Sequence, residues 1–332
     1  MDIAISILMP VYNGAPFLKE TLDSLVQQTF KKFEVICIDD NSTDNSLKIL
    51  NEYAEKYDFI RVFTKSNGGT AAKSINFGLQ YVRGEYFMYS SQDDLFSEKL
   101  LEINYLKLKE TNADAVVPNT IFYYPGEDKS SGIFGLNNNY SKVLSGREAF
   151  SLSLNWEITG FVLWRTNLLS HFDYKFFDFG INSDEYTTRL LYFYSNKVVF
   201  TEENFYYRQN NPNSITKKWN PKLLDSFMTV EMLERFVKNN AGNDHSDIVK
   251  IWETFYHEIF RITSIFYKNR KALTDHDFKI TENKLKEIYN DNKYKFKSVV
   301  LKSTKQNLIK IFVQQNYNAL KFYHLFVNVI KK

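Results

Sequence analysis

The sequence has little of what breaks or staples a chain: one cysteine, six prolines and twelve glycines in 332 residues. The lone Cys37 can make no internal disulfide, which excludes a cross-linked secreted scaffold and leads us to expect a reducing compartment. Scarce proline and glycine predict long elements with few interruptions. No run approaches the ~18 apolar residues a spanning helix requires. Met1-Asp2 leads straight into Ile3–Pro10 without a basic leader, so neither a secretion signal nor a membrane span is expected. The five histidines (His171, His245, His257, His276 and His324) show no metal-ligand spacing. What the chain does have is rings: aromatic residues make up 17% of it, within an ordinary 44% hydrophobic and 24% charged balance, predicting a globular core rich in large side chains.

Acidic residues are missing from 292–332, which carries nine lysines: Lys293, Lys295, Lys297, Lys302, Lys305, Lys310, Lys321, Lys331 and Lys332. The net charge is +3, so the preceding 291 residues carry −6. A uniformly basic surface is excluded and no nucleic-acid partner is expected; the basic charge is local.

Up to Pro118, short apolar runs alternate with helical periodicity. Strands are expected at Ile3–Met9, Glu34–Asp39, Ile60–Thr64, Glu85–Ser90 and Ala113–Val117. Helices are expected at Phe17–Gln28, Asn45–Tyr57, Thr70–Val82 and Glu98–Leu108, with Thr43 and Ser97 as N-caps. This alternation predicts an α/β fold with a mostly parallel sheet. Pro125–Asn139 reads as a loop, Ile158–Arg165 as a buried strand and Asp184–Tyr194 as a helix. Beyond Pro221 the pattern is helical. One apolar stripe joins Ile248, Ile251, Trp252, Phe255, Ile259, Ile262 and Phe266; another joins Leu308, Phe312, Ala319, Phe322, Phe326 and Ile330.

Ligands of open α/β sheets sit outside the carboxyl ends of the strands, and four such ends carry distinctive residues here. They are Pro10-Val11-Tyr12-Asn13-Gly14, Asp39-Asp40-Asn41-Ser42-Thr43-Asp44, Asn67-Gly68-Gly69-Thr70 with Lys73, and Ser90-Ser91-Gln92-Asp93-Asp94. Each alone reads equally as a turn or a capped helix start. Neither GxGxxG nor GxxxxGK[ST] is present, so the usual dinucleotide and P-loop sites are not indicated.

These segments, together with Ser6–Asn13, Gln27-Gln28-Thr29-Phe30 and Gly84-Glu85-Tyr86, resemble the bacterial family 2 glycosyltransferases of the GT-A fold. The resemblance covers residues 3–95 most strongly, extends over 155–216 and is absent beyond about 220. It implies a Rossmann-like mixed, mostly parallel sheet flanked by helices, with a helical C-terminal extension. Residues 1–219 would be the catalytic domain, 1–120 its nucleotide-sugar half and 121–219 its acceptor half, followed by 220–332. Pro10, Tyr12 and Asn13 would lie beside the nucleoside. Asp39 or Asp40 would accept from the base, Asn67, Gly68 and Gly69 would shape the pocket wall, and Lys73 would contact phosphate or uracil. Asp93 would match the second aspartate of the family's DxD motif and hold a divalent cation, Mn²⁺ or Mg²⁺, beside Gln92. The sequence departs from that motif at Ser91, where the first aspartate stands, and Asp94 would compensate in part.

Asn182–Leu190 resembles the family's acidic segment that supplies the catalytic base, with the order changed to Asp184-Glu185; Asp184 is favoured. Tyr206–Thr216 resembles the loop over the diphosphate, where Arg208 would pair with phosphate oxygens and the histidine of many relatives is missing. The implied activity is inverting transfer from a nucleotide sugar, expected to be a UDP-sugar, to a hydroxyl of a surface glycan or glycolipid, such as a lipooligosaccharide or capsule chain. A nucleotide-sugar-binding or scaffold protein without turnover and a nucleotidyltransferase are the alternatives. A cytoplasmic location is expected. The lysine-rich C-terminal helices either pack on the catalytic domain or a second copy, or lie on an anionic membrane surface.

Overall fold

The computed structural model describes residues 2–126, 131–212, 214–301 and 303–330, with the side chains of 327–330 excepted. The chain forms two compact units, Met1–Phe179 with Ser183–Asn211, and Gly180–Asn182 with Pro212–Lys332.

The first unit is built on one nine-stranded sheet: β1 (Ile5–Val11), β2 (Phe33–Asp39), β3 (Ile60–Thr64), β4 (Tyr86–Tyr89), β5 (Leu95–Phe96), β6 (Ala115–Tyr123), β7 (Ser131–Ile133), β8 (Leu163–Arg165) and β9 (Val198–Arg208). The order is β3-β2-β1-β4-β8-β6-β9-β5, with β7 added to β6. The long ladders, β1 with β2 and β4, β2 with β3, and β6 with β9, are parallel; β8, β7 and β5 pair antiparallel. The sheet is therefore mixed and mostly parallel, as expected.

Helices α1 (Ala15–Val26), α2 (Ser46–Ala54), α3 (Ala71–Leu79), α4 (Leu100–Thr111), α5 (Gly146–Ser153) and α6 (Ser183–Tyr194) complete this unit. β1 and β2 are near-continuous apolar runs because both faces are covered, and every residue of β2 is buried. Glu34 is tolerated within β2 because Ser6 Oγ and Arg61 Nη1 both bond its carboxylate, each at 2.7 Å. Leu18, Leu22 and Leu25 of α1 share one face and are fully buried against the sheet. A Leu22→Ala substitution there removes about 2–5 kcal/mol of stability, read as a lowered urea midpoint.

The second unit is helical: α7 (Ser226–Asn240), α8 (His245–Lys268), α9 (Asp275–Asn292), α10 (Thr304–Val313) and α11 (Tyr317–Ile330). Its core is the α8 stripe, with Ile251, Phe255, Ile259, Ile262 and Phe266 buried.

Several local expectations are corrected. α2 is not capped by Thr43; Asp44 accepts from the Ser46 N–H at 2.9 Å, because its carboxylate sits one residue nearer the first turn. Ser97 does not cap α4; its hydroxyl donates to Glu203 at 2.7 Å. Only Leu163–Arg165 of Ile158–Arg165 is strand. The expected loop Pro125–Asn139 contains β7, and its residues 127–130 lie outside the described residues. In the second apolar stripe Leu308, Phe312, Phe322 and Phe326 are exposed rather than core; the Ile330 side chain is outside the described set.

Candidate active site

The carboxyl ends of β1, β2 and β4 form one edge, and short side chains lock it. Asn13 and Asn41, each just past a strand, take left-handed φ values of 49° and 62°, a conformation asparagine tolerates better than most residues. Asn13 N–H donates to Ser42 Oγ at 3.0 Å, and its own Oδ1 accepts from the Thr43 N–H at 2.8 Å. Gln92, beyond β4, grips the peptide of Tyr12: the Tyr12 N–H donates to Oε1 at 2.7 Å and Nε2 donates to the Tyr12 carbonyl at 3.0 Å. Gly14 permits this, because a Cβ there would stand 2.5 Å from the Gln92 amide. The Tyr12 side chain is left 48% exposed at the edge.

The two aspartates at the end of β2, Asp39 and Asp40, separate by role. Asp40 is an internal anchor: Oδ1 accepts from Lys65 Nζ at 2.6 Å and from the Gly68 N–H at 2.9 Å, while its carbonyl accepts from Asn67 Nδ2 at 2.9 Å. Asn67-Gly68-Gly69 is thereby tied to β2, and Gly69, at φ +78°, makes a turn other residues resist. Asp39 is buried; Oδ2 accepts from the Ser42 N–H at 3.1 Å, whereas Oδ1 has no hydrogen-bond partner among the described residues. A buried carboxylate oxygen without a donor is costly, and at a strand end it marks a place for a ligand N–H. Lys73 is exposed in the first turn of α3, where Thr70 Oγ1 caps the helix through the Lys73 N–H.

At the end of β4, Ser91 Oγ donates to Asp93 Oδ1 at 2.7 Å and Asn211 Nδ2 donates to Asp93 Oδ2 at 2.7 Å. Asp94, the second expected ligand, is buried, and its Oδ2 has no hydrogen-bond partner among the described residues. It is 1% exposed, accepts from the Arg208 N–H at 3.1 Å, and burial beside the Asp93 charge raises its pKa well above the carboxylate range. Arg208 is likewise not turned outward to a phosphate. Its side chain is 2% exposed and lies over the rings of Phe17 and Tyr123; Nε donates to the Asp93 carbonyl at 2.8 Å and Nη2 pairs with Glu20. Arg208 therefore holds the Asp93-Asp94 turn in place. Arg208→Lys keeps the charge but cannot reach all these partners, and is expected to destabilise by about 2 kcal/mol, measured as a lowered urea midpoint.

The second carboxylate pair reaches the same edge through α6. Asn182, at φ 65°, precedes the helix; Asp184 and Glu185 lie in its first turn. Tyr89, the last residue of β4, shares a 2.7 Å hydrogen bond with Thr188 Oγ1, which donates to the Asp184 carbonyl at 2.9 Å. Glu185 is paired with Arg189. Burial raises the Asp184 pKa, opposed by the N–H groups of the helix start and by the Arg189 charge. The Tyr207 hydroxyl has its pKa pushed up by burial and then by Asp94, Glu185, Asp93 and Asp184 together, so both acidic pairs face one tyrosine.

The structure thus gathers Tyr12, Asn13, Asp39, Asp40, Asn67, Gly68, Ser91, Gln92, Asp93 and Arg208 in one bonded framework and sets Asp184 near it. Lys65, Glu20, Tyr89, Tyr207 and Asn211 were not singled out from sequence. Asn211 lies in the segment read as a diphosphate loop, three residues after Arg208, and offered a signal there; Glu20, a surface acid of α1, offered none. Among the described residues no three His, Cys, Asp or Glu side chains gather as a metal site, and no helix is long and apolar enough to cross a membrane.

A mixed, mostly parallel sheet with acidic side chains at the carboxyl ends of its second and fourth strands is the architecture of a GT-A glycosyltransferase. Residues 6–160 match the family model described as "Glycosyl transferase family 2", so the chain carries a family 2 glycosyltransferase domain. It is 29% identical to Glycosyltransferase GlyG of Streptococcus pneumoniae serotype 4 (strain ATCC BAA-334 / TIGR4) over 230 residues, 65% of this chain and 74% of GlyG. It covers no more than 40% of the next curated relatives. In structure it is similar to S. aureus TarS 1-349 in complex with UDP-GlcNAc (TM-score 0.63, 16% identity, 97% of this chain and 90% of that one). It is also similar to the mannosyltransferase PcManGT from Pyrobaculum calidifontis in complex with GDP-Man and Mn²⁺ (TM-score 0.53, 15% identity, 98% and 88%). At these identities the likeness speaks for the fold alone. The glycosyltransferase domain sets the nucleotidyltransferase alternative aside.

Proposed function

We propose that the chain transfers a sugar, with inversion, from a UDP-sugar to a hydroxyl of a surface glycan or glycolipid. The observation that carries this reading is the unpartnered Asp39 Oδ1 beside the exposed Tyr12, at the same sheet edge as Asp93 and Asp184. Asp39 accepts the N–H of the base while Tyr12 stacks on it. Pro10, Asn13 and the Asn67-Gly68-Gly69 wall frame the nucleoside, and Lys73 lies within the same segment for the phosphates. Asp40 shapes the pocket rather than touching the base.

Asp184 takes the proton of the acceptor hydroxyl as its oxygen forms a bond to the anomeric carbon. The bond from that carbon to the diphosphate breaks on the opposite face, its electron pair leaving with UDP. One displacement of this kind inverts the configuration. Glu185, held by Arg189, steadies the helix start. The oxygen donors Asp93 and Ser91 suit a hard cation, and Mn²⁺ or Mg²⁺ held by Asp93 would supply charge neutralisation at the diphosphate. Work on a nucleotide sugar, by a chain whose one cysteine is buried, is assigned to the cytoplasm.

Ser91 favours a second reading, a nucleotide-sugar-binding protein without turnover. Incubation with UDP-sugars and Mn²⁺, with UDP release followed by chromatography, separates the two: release supports the enzyme, and binding without release supports the alternative. Tyr12→Ala is expected to weaken UDP about tenfold, the lower part of the range for lost base–aromatic stacking, with kcat little changed; calorimetric titration and steady-state rates check it.

A further inference from the structure

Half of the exposed large apolar side chains fall within a tenth of the chain: Tyr294, Val300, Leu308, Ile311, Phe312, Phe322 and Phe326. Two consecutive helices carry most of them. α10 and α11 turn Val313, Tyr317, Leu320 and His324 inward, completing the core of the helical unit. Their other sides are not polar. Leu308 is 64% exposed and is followed at i+3 and i+4 by Ile311 and Phe312; Phe322 and Phe326, 60% and 55% exposed, stack with centroids 6.1 Å apart. Helices of a water-soluble surface normally show charge there.

The charge carried by these two helices has one sign. Residues 292–332 hold no acid, and the lysines divide by role. Lys295 is buried against Glu234, Lys310 donates to the Val299 carbonyl, and Lys321 pairs with Glu282. Lys293, Lys297 and Lys305 remain exposed, while Lys302, Lys331 and Lys332 lie outside the described residues. Lys305 stands three residues before Leu308 on α10, so an exposed cation accompanies the apolar row of that helix.

From this juxtaposition we propose that the α10–α11 face is a docking surface for an anionic lipid membrane. Helices of 10 and 14 residues cannot cross the roughly 30 Å hydrocarbon layer at 1.5 Å per residue. Lying in the interface, they bury Leu308, Ile311, Phe312, Phe322 and Phe326 at the acyl boundary, with lysines among the headgroups. A symmetric contact with a second copy is disfavoured: it would set helices that carry lysines and no acids against themselves, with Glu282 already engaged by Lys321. Deleting 292–332 cannot test this, because Phe296, Val299, Val313, Tyr317 and Leu320 belong to the core. Exposed positions can be changed instead.

The test is cosedimentation of the full chain with vesicles of phosphatidylcholine alone and of an equimolar phosphatidylcholine–phosphatidylglycerol mixture. Binding is expected to the mixed vesicles only, and to weaken as salt shortens the range of the charges. Phe322→Ser with Phe326→Ser, and separately Lys293→Gln, Lys297→Gln and Lys305→Gln together, should each lower binding at least about tenfold. UDP affinity and melting temperature should stay at wild-type values. Absence of binding to the mixed vesicles, or binding unchanged in both variants, would overturn the proposal. So would a wild-type dimer that the phenylalanine variant converts to monomer, since a second copy would then cover the face.

Discussion

Asp184→Asn is expected to lower kcat by about 10²–10⁴-fold, the span for loss of a general base, while UDP affinity stays within twofold or so of wild type, since the base contacts the acceptor rather than the nucleotide. Glu185→Gln should cost less, because that carboxylate is already engaged with Arg189. The pH dependence carries the same signature. Burial raises the Asp184 pKa above its ordinary value, which for aspartate is about 3.9. The acid limb of kcat/KM should therefore lie above the ordinary aspartate value, with activity falling as pH drops through the raised pKa. The stability consequence has the opposite sense. A carboxyl whose pKa is raised by folding favours the native state when protonated, and that contribution is lost as pH rises through the folded pKa. At neutral pH, Asp184→Asn should thus leave the protein at least as stable as wild type, so lost turnover cannot be blamed on unfolding. A reversed ranking of the two variants would make Glu185 the base; normal turnover in both would remove the α6 pair from catalysis.

Asp93→Asn is the second large effect. The substitution keeps an oxygen for Ser91 and nearly the same volume, but removes the charge. If Asp93 supplies the cation's carboxylate, it should forfeit several kcal/mol of charge stabilisation. At about 1.4 kcal/mol per tenfold, that is a loss of roughly 10²–10³ in kcat/KM. In binding experiments Mn²⁺ should tighten UDP on wild type and have little effect on Asp93→Asn. Wild type in EDTA should match the variant. Undiminished transfer by wild type in EDTA would instead indicate a metal-independent enzyme, in keeping with Ser91 at the place of the missing carboxylate.

The sheet was legible because its inner strands are buried on both faces and so read as near-continuous apolar runs; the expected Glu34–Asp39 falls one residue short of the fully buried β2. Legibility failed where pairing rather than pattern decides the structure. β7 is three residues of serine, glycine and isoleucine, strand only because β6 offers it an edge. Thr43 and Ser97 have the right chemistry for caps, but neighbouring groups took those hydrogen bonds. At the site, sequence placed the acids but could not divide their roles. The difference between Asp39 and Asp40 lies in Lys65 and Gly68, 25 and 28 residues away in the chain, which fill one carboxylate and leave the other. Asp93 and Asp94 likewise depend on distant partners: Asn211 bonds the Asp93 carboxylate, while β9 brings the Arg208 main-chain N–H to Asp94. Arg208 itself is the plainest case. An arginine in a polar loop segment reads as a phosphate contact, and only the packing of Phe17, Tyr123 and Glu20 around it shows a residue that holds the site from within.

The most direct test of the account is a crystal structure of the protein with UDP and Mn²⁺. The uracil is expected against Tyr12 with its N–H donated to Asp39 Oδ1, the ribose by Asn13, and the diphosphate directed toward Asp93 with the cation between them. A nucleotide bound elsewhere on the chain, or one that leaves Asp39 Oδ1 without a donor, would contradict it.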